Sequence, residues 1–432
     1  MSIQHITISL WSAIIININI IIGTGIFINT TELANRTGVL GGICYALVGL
    51  LLLPLILSFV RLIELYPQGG FYAYCSTSLS PFAGFLSTWC YFFSKLSSAT
   101  LSIHIFTILM QKIFPTLALY NSLYIDFFIL SIVLALNMLN VRTGSAIQKW
   151  IMVLKLFPVF FVIGIGIFFT QNSNLTPINQ LWDGIPSAIP LVLHALLGFE
   201  IACAISRNIE KPHINGPRAI LISYAIVIIL FVLYQTLFYT AVGFSLGEQS
   251  NYSNAFPLLI TLLNVPHYLQ TMLGTFIHIA IAFSALSASF GIVYANLWNL
   301  YSLAELGHIP YAPFIMQHNR FNIPFLCVVA QGIIMIIYLI VICGKQVTFQ
   351  QLSAFGAIIT YALSISGLFA TYIQKNKSLI IPLLGLFNCA LLLSVALYAM
   401  WKSDNFIPVQ LFLAIVFLGA FTYSMSNGKE KP

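Results

Sequence analysis

The chain has 432 residues, of which 59% are hydrophobic and only 6% charged. A soluble domain carries about 25% charged residues, so the composition excludes an ordinary soluble enzyme or binding domain and indicates a polytopic membrane protein in contact with a lipid bilayer. The formal net charge of +7 sits mostly in connecting segments, so no nucleic acid is expected as a partner.

Residues 1–9 carry no Lys or Arg, and no small-residue cleavage site follows, so the first span is expected to stay in the protein. Twelve apolar spans follow, at 10–29, 38–60, 82–111, 122–140, 148–170, 187–206, 219–243, 268–301, 322–343, 350–373, 379–401 and 406–425. All fit helices, and none has the short alternating pattern of barrel strands. Within the first span, residues 10–28 carry no charge, enough to cross a bilayer. Yet Gly23-Thr24-Gly25 places two poor helix formers deep inside it. A helix opening there exposes backbone N–H groups, tolerated in a membrane only where protein, water or a ligand meets them. Such a half-helix start can hold a carboxylate. The other reading is a close helix crossing, which small residues also permit. Spans three and eight are long, which implies tilt or a cytoplasmic extension.

The longest polar connections, 62–81, 171–186, 243–267 and 303–321, run to about twenty residues. None is long enough for an attached soluble core. With the N-terminus placed in the cytoplasm, eleven cations fall inside: Arg61, Arg142, Lys149, Arg207, Lys211, Arg218, Arg320, Lys375, Lys377, Lys429 and Lys431. Four fall outside: Arg36, Lys112, Lys345 and Lys402. The bias predicts both termini cytoplasmic. Seven cysteines lie scattered without a CxxC, which reads as small buried hydrophobes, not disulfides or metal ligands. No metal or cofactor is expected.

A charge in the hydrocarbon region costs on the order of 3 kcal/mol, so each one is a functional suspect. Lys155 lies in the middle of span five, where snorkelling works poorly. Glu200 follows Gly198 in span six, and that glycine can open the helix as Gly23 and Gly25 open the first. Glu200 and Lys155 are expected either to pair or to include a proton carrier. Lys95 in span three reads as a pathway residue or as a structural partner for a carbonyl or carboxylate. His194 lies one turn before Gly198 and faces either the same cavity or a core partner. His104 and His278 read more simply as core histidines. Asp126, Asp183 and Asp404 fall at span edges or in loops and are expected to be solvated. No HExxH, mid-span aspartate pair or Ser/His/Asp set at one depth appears. The chain is therefore not expected to be an enzyme. Interrupted helices with a few buried ionisable groups fit a secondary transporter.

Four stretches give the chain a closer likeness. They are Ile22-Gly23-Thr24-Gly25-Ile26-Phe27; Pro67-Gln68-Gly69-Gly70-Phe71-Tyr72-Ala73-Tyr74; Gly198-Phe199-Glu200 with Glu210-Lys211-Pro212 and Gly216-Pro217-Arg218-Ala219-Ile220; and Tyr301-Ser302-Leu303-Ala304-Glu305-Leu306-Gly307-His308-Ile309-Pro310 with Asn322-Ile323-Pro324. In this order the chain resembles the amino acid–polyamine–organocation transporters over residues 10 to about 375. The resemblance implies an all-α membrane fold of about twelve helices. Its core is a five-plus-five inverted repeat over 1–375, with helices one and six discontinuous. Two further helices and a short cytoplasmic tail fill 376–432.

It also implies how a substrate sits. The amides of Gly23, Thr24 and Gly25 would hold the α-carboxylate, and carbonyls at His194 and Leu197, before the break at Gly198, would take the α-amino group. Glu200 would act in coupling and gating. Lys155 would occupy the place of a sodium ion in sodium-coupled cousins, which favours proton coupling or exchange.

There are departures. His194 and Ile292 stand where relatives that exchange basic amino acids for amines carry Trp, and Ile20 stands for an Asn near the first break. Trp298, Glu305 and Leu306 replace the usual basic and acidic residues after span eight. The expectation is a permease of the plasma (inner) membrane, monomeric or homodimeric, moving a neutral amino acid by alternating access with a proton or counter-substrate. An acidic amino acid or its decarboxylated product comes next, and a basic one last. Two alternatives remain: an amine or polyamine antiporter of the same fold, and a sensor that binds without net flux.

Overall fold

The structure, a computed structural model, describes residues 9–67, 69–139, 141–175, 179–200, 203, 209–249 and 251–426, with 141–153 and 179–181 described by backbone only. Residues 1–9 (all but the last), Gln68, the side chains of Arg142 and Lys149, Arg207, Lys429, Lys431 and the second part of the sixth span therefore lie outside the described residues.

The described residues are helical almost throughout and hold no strand; His318 and Pro324 form an isolated bridge. Among the described residues, nine helical stretches are long and apolar enough to cross a membrane, and 122–137 and 154–169 are shorter apolar helices. The first span is three pieces, α1 (Leu10–Ile21), α2 (Gly25–Ile28) and α3 (Thr30–Thr37). Ser9 starts α1 by accepting from the Ser12 N–H at 3.3 Å. The next elements are α4 (Gly41–Leu65), the short α5 (Phe71–Ser76) and α6 (Pro81–Ile113). Ser80 caps α6 at the Ala83 N–H (3.1 Å), and Pro81 sits where its missing donor costs nothing. Then come α7 (Ser122–Asn137), α8 (Val141–Phe169), α9 (Ile185–Leu196), α10 (Pro212–Val242) and α11 (Ala255–Thr261). The chain finishes with α12 (His267–Glu305), α13 (Ala312–Ile315), α14 (Phe325–Ile342), α15 (Gln346–Gln374), α16 (Ile380–Ser403) and α17 (Ile407–Met425).

The polar connections are less irregular than their composition suggests. Three of them contain the short helices α5, α11 and α13. The 33-residue α6 and 39-residue α12 pack along each other, and α6 also packs along α15. In its most apolar window α6 is 83% buried, against 22% for α17. That contrast puts α6 at the centre of the bundle and α17 at its rim. Six cysteines are buried and Cys343 is exposed, and among the described residues no disulfide joins them.

Candidate functional site

α1 stops because its last amides turn back on the chain. Ile22 N–H donates to Ile18 O (2.8 Å) and Gly23 N–H to Ile21 O (2.7 Å). The helix restarts with Phe27 and Ile28 N–H on Thr24 O (3.0 and 3.1 Å). The N–H groups of Thr24, Gly25 and Ile26 are left with no acceptor among the described residues. α9 ends as Leu197 N–H closes on Leu193 O (3.1 Å), and Gly198 follows at φ +122°, where a side chain is strained.

The two breaks touch. A Cβ on Gly25 would lie 2.7 Å from Ala195 Cα, and one on Gly198 would lie 3.3 Å from Ile21 N. The glycines thus serve both roles considered from the sequence: they open the helices and let them cross closely.

A cavity of about 60 Å³ lies at this crossing, well above the ~10–15 Å³ that one water needs. It is lined by Ile20, Gly23, Thr24, Gly25, His194, Leu197, Gly198 and Ile292 from the sequence reading, and by Lys95. It also takes in Tyr91, Ser98 and Ser102 from α6, and Asn296 and Asn299 from α12, none of which the sequence reading singled out. Tyr91, Lys95, Ser98 and Ser102 recur at one helical stride, as do Ala288, Ile292, Ala295, Asn296 and Asn299. That periodicity was the signal available. Asn296 is spent on Phe92 O (2.9 Å) and on accepting from Asn299 (3.0 Å). His194 keeps a buried Nδ1 with no partner.

The charges are arranged differently from the expectation. Glu200 and Lys155 do not pair. Glu200 is fully buried, makes an ion pair with Lys95, and accepts from Gly198 N–H (2.9 Å) and Tyr91 O–H (3.4 Å). Lys155 reaches the other side of the first break and donates to the carbonyls of Asn19 and Ile22, the latter at 2.8 Å. The reason is geometric: α1 frees carbonyls at its broken end, and an ammonium is the natural donor for them. Glu200 and Lys155 do not line the cavity; Lys95 does. The paired Lys95 and Glu200 bring no net charge to it.

Asp126 also departs from expectation. It is buried, and its Oδ2 lies 2.8 Å from His104 Nδ1, because α7 packs its first turns on α6 instead of facing water. Asp183 and Asp404 are exposed. His278 bonds Ser253 O (2.8 Å), away from the cavity. Trp298, Glu305 and Leu306 face outward at the end of α12. Among the described residues, no group of three His, Cys, Asp or Glu side chains is placed to hold a metal.

The family model described as amino acid permease matches residues 8–422. The human cystine/glutamate transporter is 24% identical over 421 residues, which cover 91% of this chain and 80% of that protein. The γ-aminobutyric acid permease of Bacillus subtilis (strain 168) is 24% identical over 327 residues, covering 72% of this chain and 67% of that protein.

Proposed function

The chain belongs to the amino acid permease family, and from the cavity between its two broken helices we propose that it moves a neutral amino acid by alternating access. It is an amino acid transporter of the membrane, not an enzyme. The observation that carries the finer reading is the pairing of Lys95 with Glu200 beside three unpartnered amides. A zwitterion needs donors for its carboxylate and acceptors for its ammonium. The amides of Thr24, Gly25 and Ile26 at the start of α2 offer the first. The carbonyls at the end of α9, around His194 and Leu197, offer the second. Hydrogen bonds to a charged group contribute roughly 1.5–3 kcal/mol each. With Lys95 neutralised, nothing in the lining matches a cationic side chain.

The coupling is read from Lys155. Its ammonium ties the two free carbonyls of the opened turn. Loss of its charge would weaken both bonds and loosen α1 where the substrate binds, which favours a proton or a counter-substrate over sodium. Residues 1–375 form the transport core in this reading, 376–432 are peripheral, and both termini are cytoplasmic.

A second reading rests on Lys95 itself. If the pair opens, its ammonium can meet a substrate carboxylate, and the similar proteins are described as carrying cystine and glutamate or γ-aminobutyric acid. An acidic or ω-amino acid, carried by exchange, is then the substrate.

Counterflow in proteoliposomes tests both. Vesicles are loaded in turn with neutral, acidic and basic amino acids and their amines, with and without a proton gradient. Uptake driven by neutral amino acids supports the first reading, and uptake driven only by glutamate or 4-aminobutyrate supports the second. Flux confined to basic amino acids or amines would overturn both.

A further inference from the structure

The central cavity limits the size of what it can hold. Its volume of about 60 Å³ is room for about four to six waters, at roughly 10–15 Å³ for each. Two of its sides are committed in the proposed function: the start of α2 faces the carboxylate and the end of α9 the ammonium. A zwitterionic head and its α-carbon fill most of the space. The substrate side chain is left with the opposite wall, where α6 and α12 lie along each other.

That wall has a defined depth and polarity. On α12, Ala288, Ile292 and Ala295 line the cavity at one helical stride. Ile292 is the largest of the three and is half-buried. The alanines leave space one turn above and one turn below, so the isoleucine fixes the depth at the middle of the wall. On α6, Ser98 and Ser102 line the same cavity one turn apart. Ser102 Oγ donates to Ser98 O (3.0 Å), and Ser98 Oγ is bonded to Ser353 Oγ (2.7 Å). Both hydroxyls are thus satisfied within the protein, and a methyl group laid against them strands no buried donor. A hydroxyl oxygen has two lone pairs, so a substrate hydroxyl also finds an acceptor there. The wall therefore suits a methyl or a hydroxymethyl group equally. A side-chain carboxylate finds no match, because Lys95 is held by Glu200.

We propose that the cavity selects the smallest neutral amino acids, glycine, alanine, serine and threonine, and that Ile292 sets the upper limit on the side chain. This deepens the reading of the protein as a neutral amino acid permease and rests on it. A longer side chain, such as that of leucine, phenylalanine or glutamate, has to displace Ile292 or push α12 away from α6. Packed side chains resist both.

Counterflow in proteoliposomes tests the proposal, with the same amino acid inside and, labelled, outside. The probes are glycine, L-alanine, L-serine, L-threonine, L-leucine, L-phenylalanine and L-glutamate. In the wild type, kcat/KM for the first four should exceed that for the last three by about a hundredfold, since one methylene in a shaped pocket discriminates roughly 10–200-fold. Ile292→Ala deepens the wall and should raise the ratio of L-leucine to L-alanine at least tenfold. A gained substrate cannot come from misfolding. Ala295→Val makes the wall shallower and should lower the ratio of L-threonine to glycine at least tenfold. If Ile292→Ala does not fold, the wild-type series and Ala295→Val decide.

A wild type that carries L-leucine, L-phenylalanine or L-glutamate as well as L-alanine overturns the size limit and leaves the transporter reading standing. A wild type that obeys the limit, with an unchanged ratio in Ile292→Ala, overturns the assignment to Ile292. Absence of flux with every amino acid removes the transporter reading and this inference with it.

Discussion

At the scale of single residues the buried charges carry the strongest consequences. Lys95 and Glu200 are an ion pair in the centre of the bundle, and removing one partner of such a pair costs roughly 3–5 kcal/mol because the other is left uncompensated. Replacing both costs far less. Glu200→Gln should therefore lower the melting temperature in detergent more than Lys95→Met/Glu200→Gln does, by several degrees. Equal melting temperatures would mean that the two side chains do not act as a pair. Lys155 is different, because its partners are carbonyls. Lys155→Met leaves two carbonyls unmet without leaving a charge. The folded protein should persist, with counterflow falling at least tenfold. Full counterflow in Lys155→Met would detach the opened turn from transport.

Helices meet at glycines, and the spacing at each glycine sets a prediction at this scale. Gly25 has no room for a Cβ, with Ala195 Cα at 2.7 Å, whereas the nearest atom to a Cβ on Gly23 is Ile20 O at 3.7 Å. Gly25→Ala must push α2 off α9, while Gly23→Ala fits. Binding of the carried amino acid is expected to drop more than tenfold in the first and less than threefold in the second. The reverse order would refute the crossing geometry.

Much of this layout was readable from the chain. The interruptions stand out because glycine is costly in a helix that has to span a membrane. Eight residues named around them line one cavity. The partners of the charges were not readable. Lys95, Lys155 and Glu200 are 45 to 105 residues apart in the sequence, and only the approach of α6 to the turn after α9 and of Lys155 to the end of α1 decides which pair meets. Asp126 was misplaced for the same reason, since a span edge looks solvated until α6 supplies His104. Ser98, Ser102, Asn296 and Asn299 were missed because small polar residues carry no cost signal of their own.

At the scale of the whole molecule, stretches far apart in the chain converge on one aromatic stack. Tyr72, in the stretch after the second span, lies with its hydroxyl 2.8 Å from His308 Nε2, in the stretch after the eighth. Tyr423, from the peripheral α17, stacks on the same imidazole at 5.2 Å between centroids, and Phe85 meets it edge-on at 6.0 Å. Trp89 adds a bond from its indole N–H to Ile415 O (2.9 Å). The rim helix is thus fastened to two connections of the core. Burial holds the His308 imidazole below its ordinary range. In the unfolded chain a histidine gains its proton near pH 6.5, while the folded protein resists protonation. The stabilisation is therefore whole above that pH and declines as pH falls below it, toward the lowered folded value. The melting temperature of the wild type should drop between pH 7.5 and 5.5 by more than that of His308→Phe, which keeps the stacking and cannot titrate. The difference between the two proteins isolates this residue from the other groups that titrate in the same range. Parallel curves would show that the stack does not feel the proton, and that α17 is held by Trp89 and packing alone.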